Sequence, residues 1–218
     1  MKIFAIAAGS FGVLTCLAVL TSSGQERGWY VRGDAGPAWN QELSVKEFLG
    51  VKNVGKFEFD TGVRLDVAGG YNFKPWLAAE FETGFIGNQI QPTHDSSLSS
   101  IPIMANILFQ LPNSTRFVPF IGGGAGGVVS VLDADDLGNP ALGFIDGTDS
   151  DLVFAWQGFA GVRYKINEQF GVYLTYRYLG TTDPSWDAED VFGIQPTEQV
   201  TLEGVNNHSV VLGVDFHF

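Results

Sequence analysis

His208-Ser209-Val210-Val211-Leu212-Gly213-Val214-Asp215-Phe216-His217-Phe218 closes the chain. Taken two residues at a time, it separates into two sets. His208, Val210, Leu212, Val214, Phe216 and Phe218 form one, wholly apolar after His208. Ser209, Val211, Gly213, Asp215 and His217 form the other, mostly small or polar. Successive side chains of a strand point to opposite faces, so this is a β-strand with one greasy and one wet face. It ends on an aromatic residue with no polar tail. A greasy face against lipid, with the aromatic end at a membrane interface, accounts for both features.

The same alternation recurs upstream, and no helical period of any length interrupts it. Trp29 to Ala38 sets Trp29, Val31, Gly33 and Ala35 against Tyr30, Arg32 and Asp34. Next, Phe59, Thr61, Val63, Leu65, Val67 and Tyr71 alternate with Glu58, Asp60, Arg64, Asp66 and Asn72. Further runs cover Trp76 to Phe85, Ile101 to Leu111, Phe117 to Val131, Val153 to Lys165 and Phe170 to Gly180. The faces of the run from Phe117, which holds Gly122-Gly123-Gly124-Ala125-Gly126-Gly127, are not assigned by pattern. With the terminal stretch this makes eight strands.

Their connections alternate in length. Asn72-Phe73-Lys74-Pro75, Pro112-Asn113-Ser114-Thr115 and Ile166-Asn167-Glu168-Gln169 are short turns. Residues 37–57, 86–99, 131–152 and 181–206 are expected as long connections. An even number of strands with alternating short and long links predicts an all-β fold. It is an eight-stranded antiparallel transmembrane β-barrel with short periplasmic turns and longer extracellular loops. Both termini then fall on the short-turn side. The aromatics form two belts, with Trp29, Tyr71, Trp76, Tyr164, Phe170 and Phe216 near the short turns. Phe59, Phe85, Phe154, Trp156, Tyr176 and Tyr178 are expected toward the long connections.

Residues 1–24 read as a cleaved secretory signal peptide, leaving 25–218 as the barrel domain. Lys2 gives the positive start, Ile3 to Leu20 the apolar stretch, and Thr21-Ser22-Ser23-Gly24 the small-residue cleavage region. The single cysteine, Cys16, lies inside that segment, and Val13-Leu14-Thr15 is a poor lipoprotein cleavage match. The mature chain is therefore expected to lack disulfides and thiolate metal sites. Without Lys2 it carries eleven Lys and Arg against twenty-four Asp and Glu, a net charge of −13. That balance argues against nucleic-acid binding. Asp133, Asp135, Asp136, Asp146, Asp149 and Asp151 crowd one long connection, and Asp183, Asp187, Glu189, Asp190, Glu198 and Glu203 another.

Several segments together resemble the eight-stranded outer-membrane β-barrel proteins of Gram-negative bacteria, in the opacity-protein and OmpA-like superfamily. They are Gly28-Trp29-Tyr30-Val31-Arg32-Gly33-Asp34-Ala35-Gly36, Phe120-Ile121-Gly122-Gly123-Gly124-Ala125-Gly126, Gly161-Val162-Arg163-Tyr164, Tyr176-Arg177-Tyr178-Leu179-Gly180 and the Phe218 end. The resemblance spans the mature chain and implies a cell outer-membrane location. It also implies that the assembly machinery recognises the terminal strand at Phe218. It implies little about activity, because members differ in their loops.

Chemical motifs are sparse. Gly122, Gly124 and Gly127 satisfy G-x-G-x-x-G, but Val128-Val129-Ser130-Val131-Leu132 follows where a nucleotide site needs a helix. Asp133, Asp135, Asp136 and Gly138 hint at calcium, yet Leu137 and Phe144 stand where an EF-hand needs ligands. Loose divalent-cation binding by that acidic segment stays open. His208 and Ser209 are adjacent in a strand and face opposite sides, which separates a nucleophile from its base. No catalytic, cofactor-binding or metal residue is assigned, and no enzyme activity is expected.

Arg32, Arg64, Arg163 and Arg177 are expected inside the barrel with Asp34, Asp60, Asp66, Glu80, Glu82 and Asp215. The expected role is structural, or surface interaction with a host or envelope ligand through the acidic loops. A narrow porin-like channel for ions or small solutes is the alternative, and a lipid-modifying enzyme comes third.

Overall fold

The computed structural model describes residues 27–48, 51–90, 96–139, 143–190 and 198–218. The segment expected as a signal peptide, residues 1–24, lies outside them. Twelve strands run in the order β1 (Gly28–Asn40), β2 (Leu43–Phe48), β3 (Val51–Phe57), β4 (Gly62–Lys74), β5 (Leu77–Gln89) and β6 (Ser97–Gln110). They continue with β7 (Phe117–Asn139), β8 (Gly143–Lys165), β9 (Phe170–Thr181), β10 (Ser185–Asp190), β11 (Glu198–Leu202) and β12 (Asn206–His217).

Eight of them close a barrel in the order β1-β4-β5-β6-β7-β8-β9-β12. The terminal strand pairs antiparallel with the first, setting Val31 opposite Phe216 and Ala35 opposite Leu212. The Phe218 N–H donates to the Trp29 carbonyl at 3.0 Å, so the seam is hydrogen-bonded to the last residue. Closure matters because an open edge in a bilayer leaves backbone groups unsatisfied.

The two faces of β12 separate as its alternation requires. Leu212 and Val214 are each 60% exposed on the outside, whereas Val211 and Ser209 are fully buried inside. The glycine-rich strand β7 also has a definite orientation. Val118, Phe120, Val128, Ser130 and Leu132 are buried inside, in phase with Gly122 and Gly124. Those glycines make room for lumen side chains. A Cβ on Gly122 would meet the Phe159 ring at 2.4 Å, and one on Gly124 would meet Asn106 Oδ1 at 2.1 Å.

The long connections depart from expectation. Residues 37–57 and 181–206 contain four further strands, joined as a second sheet in the order β3-β2-β11-β10. This sheet continues from the far end of β8, where Glu189 pairs with Asp146 and Asp190 with Ile145. Most of 131–152 is not a loop, because β7 runs to Asn139 and β8 starts at Gly143. The connection expected over 86–99 is short, since β5 reaches Gln89 and β6 resumes at Ser97.

Two residue placements change accordingly. Phe59 does not join a lipid-facing belt. It lies before β4, bridges Ile90 and packs against an interior apolar cluster. Asp60 also precedes β4, with its N–H donating to the Gln89 carbonyl at 3.0 Å.

Candidate functional site

Every barrel strand passes through the same interior layers. At the short-turn end, Arg163 Nε donates to both oxygens of Asp215 at 2.8 Å, and His217 Nε2 lies 3.0 Å from Asp215 Oδ1. Above them sits a mainly aromatic layer of Tyr30, Ala78, Leu108, Phe120, Phe159 and Tyr173. The third layer is ionic. The fourth is aliphatic, made of Ala38, Ile86, Met104, Val128, Val153, Ala155 and Leu179.

Glu82 is the hub of the ionic layer. Arg177 Nη1 donates to both of its oxygens at 2.8 Å. Arg64 Nη2 lies 3.2 Å away and Arg32 Nη2 3.6 Å away. Asn106 and Gln157 donate their side-chain amides to it at 3.1 and 3.0 Å. The side chains of Glu82, Arg64 and Arg177 have no solvent exposure at all. Asp34 accepts from Tyr173 Oη at 2.7 Å and faces Arg177 at 3.5 Å. Glu80 accepts from Tyr30 Oη at 2.7 Å and pairs with Arg32 at 3.2 Å. Asp66 accepts from Arg64 Nε. The guanidinium of Arg32 stands 5.1 Å from the Tyr173 ring and that of Arg177 4.9 Å from Phe159. The aromatic layer is thus a lid of rings on the ion pairs.

Arg32, Arg64, Arg177, Asp34, Asp66, Glu80 and Glu82 of the expected inward set are therefore brought together, with Arg163 and Asp215 forming a separate pair below. No local pattern in the sequence signals that Asn106 and Gln157 serve one carboxylate. In a network this dry the opposite charges must pair, and Glu82 meets three arginines while Asp66 meets Arg64. A cavity of about 30 Å³ remains at the short-turn mouth, lined by Tyr30, Arg32, Glu80, Asp215 and His217 among others. That is room for about one water.

A second interior begins beyond the aliphatic layer. Leu43, Val45, Phe48, Ile90, Leu98, Leu132, Ala134, Trp186, Val200, Leu202 and Val205 form one buried cluster. The Trp186 indole N–H donates to the Ser130 carbonyl at 3.0 Å, pinning β10 to β7. Three of the four added strands, β2, β10 and β11, therefore share an apolar core with the barrel's far end.

His208 and Ser209 face opposite sides, as their adjacency requires. Ser209 is fully buried within, while His208 Nδ1 lies 2.6 Å from Tyr176 Oη on the outer face, beside Trp39. Gly122 to Gly127 lie within β7, so no helix opens at that motif. Among the described residues, no group of three or more His, Cys, Asp or Glu could hold a metal ion.

A family model for the outer membrane protein beta-barrel domain matches residues 9–218. The chain belongs to that family. It is an integral β-barrel protein of the outer membrane, with its short turns periplasmic and its long connections outside. An uncharacterised protein of Brucella suis biovar 1 is 25% identical over 241 aligned positions, covering 88% of this chain and 85% of the relative. Two solved structures share the fold. OprG of Pseudomonas aeruginosa superposes with a TM-score of 0.64 at 17% identity, covering 89% of this chain and 99% of that one. Neisserial surface protein A superposes with a TM-score of 0.59 at 18% identity, covering 89% and 100%.

Proposed function

We propose that this outer-membrane barrel is non-catalytic and non-conducting and acts through its outer surface, where it presents an acidic, sheet-built platform to a cationic ligand or partner. One contrast carries the reading: the lumen is filled layer by layer, while the outer connections are organised into a sheet with its own core. Those connections, residues 41–61, 90–96, 131–152 and 182–205, hold seventeen acids against three lysines. A field of one sign favours oppositely charged partners and speeds their encounter.

The test is titration of the reconstituted protein with poly-lysine beside planar-bilayer conductance. Salt-sensitive binding, lost when Asp183, Asp187, Glu189 and Asp190 become Asn or Gln, is expected together with a silent bilayer. A steady single-channel current would favour the narrow-channel reading, for which the small periplasmic cavity speaks. Ion flow would then require the arginines around Glu82 to part.

Two processing steps belong to the same reading. Residues 1–24 are removed as a signal peptide, and the terminal strand is the segment read by the barrel-assembly machinery. The ring of Phe218 stands edge-on to Phe216 at 5.1 Å, at the seam that assembly must close. Deleting Phe218 is expected to lower membrane yield in cells more than refolding yield in micelles. Equal losses would leave Phe218 a packing residue only.

A further inference from the structure

Among the described residues, the cations outside the lumen fall into two groups. Lys46, Lys52 and Lys56 sit on the β2–β3 hairpin, where Lys46 faces Asp183 and Lys56 faces Glu42 at 3.0 Å. The other four are on the periplasmic side. Arg27 precedes β1, Lys74 ends β4, Arg116 precedes β7 and Lys165 ends β8. Each periplasmic turn therefore has a cation in it or at its edge. Among the described residues, the acid in the turns of this side is Glu168.

Two of these periplasmic cations are held against the aromatic belt. Lys74 Nζ lies 5.1 Å from the centroid of the Trp76 ring. Arg116 Nη1 donates to Tyr164 Oη at 3.4 Å. Tyr164 in turn packs on Phe117, with ring centroids 5.1 Å apart. The Lys165 N–H donates to the Arg116 carbonyl at 2.8 Å, so two cationic residues stand side by side on adjoining strand ends. Amphipathic rings settle at headgroup depth, and a cation fixed to such a ring is at the depth of lipid phosphates.

We propose that this rim is a collar that binds anionic phospholipid headgroups of the periplasmic leaflet, with Arg116 and Lys165 as its focal pair. Arg116 is held at an outward ring through Tyr164, and Lys165 is joined to it through the backbone, so the rim offers two neighbouring charges to a phosphodiester. Their depth favours a lipid over a soluble polyanion. A Lys or Arg near an anionic surface favours it by a factor of about five.

The test uses the full chain in vesicles of phosphatidylcholine mixed with phosphatidylglycerol. Spin-labelled analogues of the two lipids report which is enriched in the shell around the barrel. Wild type is expected to enrich phosphatidylglycerol, with the preference falling at high salt. In R116Q/K165Q the preference should drop toward unity while the barrel keeps its heat-modifiable gel mobility. K46Q/K52Q/K56Q should leave it unchanged. No preference in wild type, equal preference in the rim variant, or loss only in the hairpin variant would each overturn the proposal. So would competition by inorganic phosphate at low concentration, which would assign the pair to a soluble anion.

Discussion

At membrane depth β6 points Ile103 and Ile107 outward and Asn106 inward, whereas a few residues on it points Ser97 and Ser99 outward and Leu98 inward. Strand β7 does the same, with Ile121 outside at depth, then Asp133 and Asp135 outside and Leu132 and Ala134 within. The strands never break; the polarity of their two faces inverts. Inside the bilayer the greasy face meets lipid and the lumen holds ion pairs. Beyond it the outer face meets water, and the interior becomes an ordinary apolar core. The surrounding solvent decides which side of one continuous sheet is hydrophobic.

The two interiors should fail differently when broken. Arg64→Leu removes a partner from both Asp66 and Glu82 at the centre of the ionic layer. A loss of about 3–5 kcal/mol in barrel stability is expected, read as a lower urea midpoint in micelles. An unchanged midpoint would remove Arg64 from the network. Trp186→Ala strikes the other interior and should cost about 3 kcal/mol, concentrated in the outer sheet. Limited proteolysis should then cut near residues 185–203 faster while the barrel keeps its midpoint.

Gly124→Ala sharpens the contrast more gently. Its methyl would press on Asn106 and through it on Glu82, at a cost of about 1–3 kcal/mol. The matching change at Gly69, which has open space around it on the lipid side, should cost much less. Smallest of all is Lys56→Gln, which breaks an exposed pair with Glu42 and should change stability by less than about 1 kcal/mol.

The sequence disclosed the half of the molecule in which one rule holds throughout. Alternation of apolar and polar residues located all eight barrel strands, the lipid faces of all but β7, the closing terminal strand and the inward arginines. It failed where the rule inverts. Asp133 and Asp135 read as a loop because acids on a face that is greasy in the bilayer look like the end of a strand. Leu43-Ser44-Val45 and Val200-Thr201-Leu202 alternate too, but such short runs carry little weight beside a charged neighbourhood. Phe59 continued the parity of Val63 and Leu65, and nothing local shows that it lies past the strand's start. The glycines of β7 have no side chain to report a face, so their role emerged only from Phe159 and Asn106 across the lumen. The hub at Glu82 gathers residues from five strands, a convergence set by barrel closure and not by any local pattern.

Inversion of polarity along one strand can be measured on two residues of the same face. Ile103→Arg and Ser97→Arg both place a guanidinium outward on β6, and folding free energies in phospholipid vesicles compare them directly. The expected result is a loss of about 2–4 kcal/mol for Ile103→Arg, the cost of an arginine facing lipid near mid-membrane, and about 0–1 kcal/mol for Ser97→Arg. Equal losses at both positions would contradict the account, because the face would then meet the same solvent along its whole length.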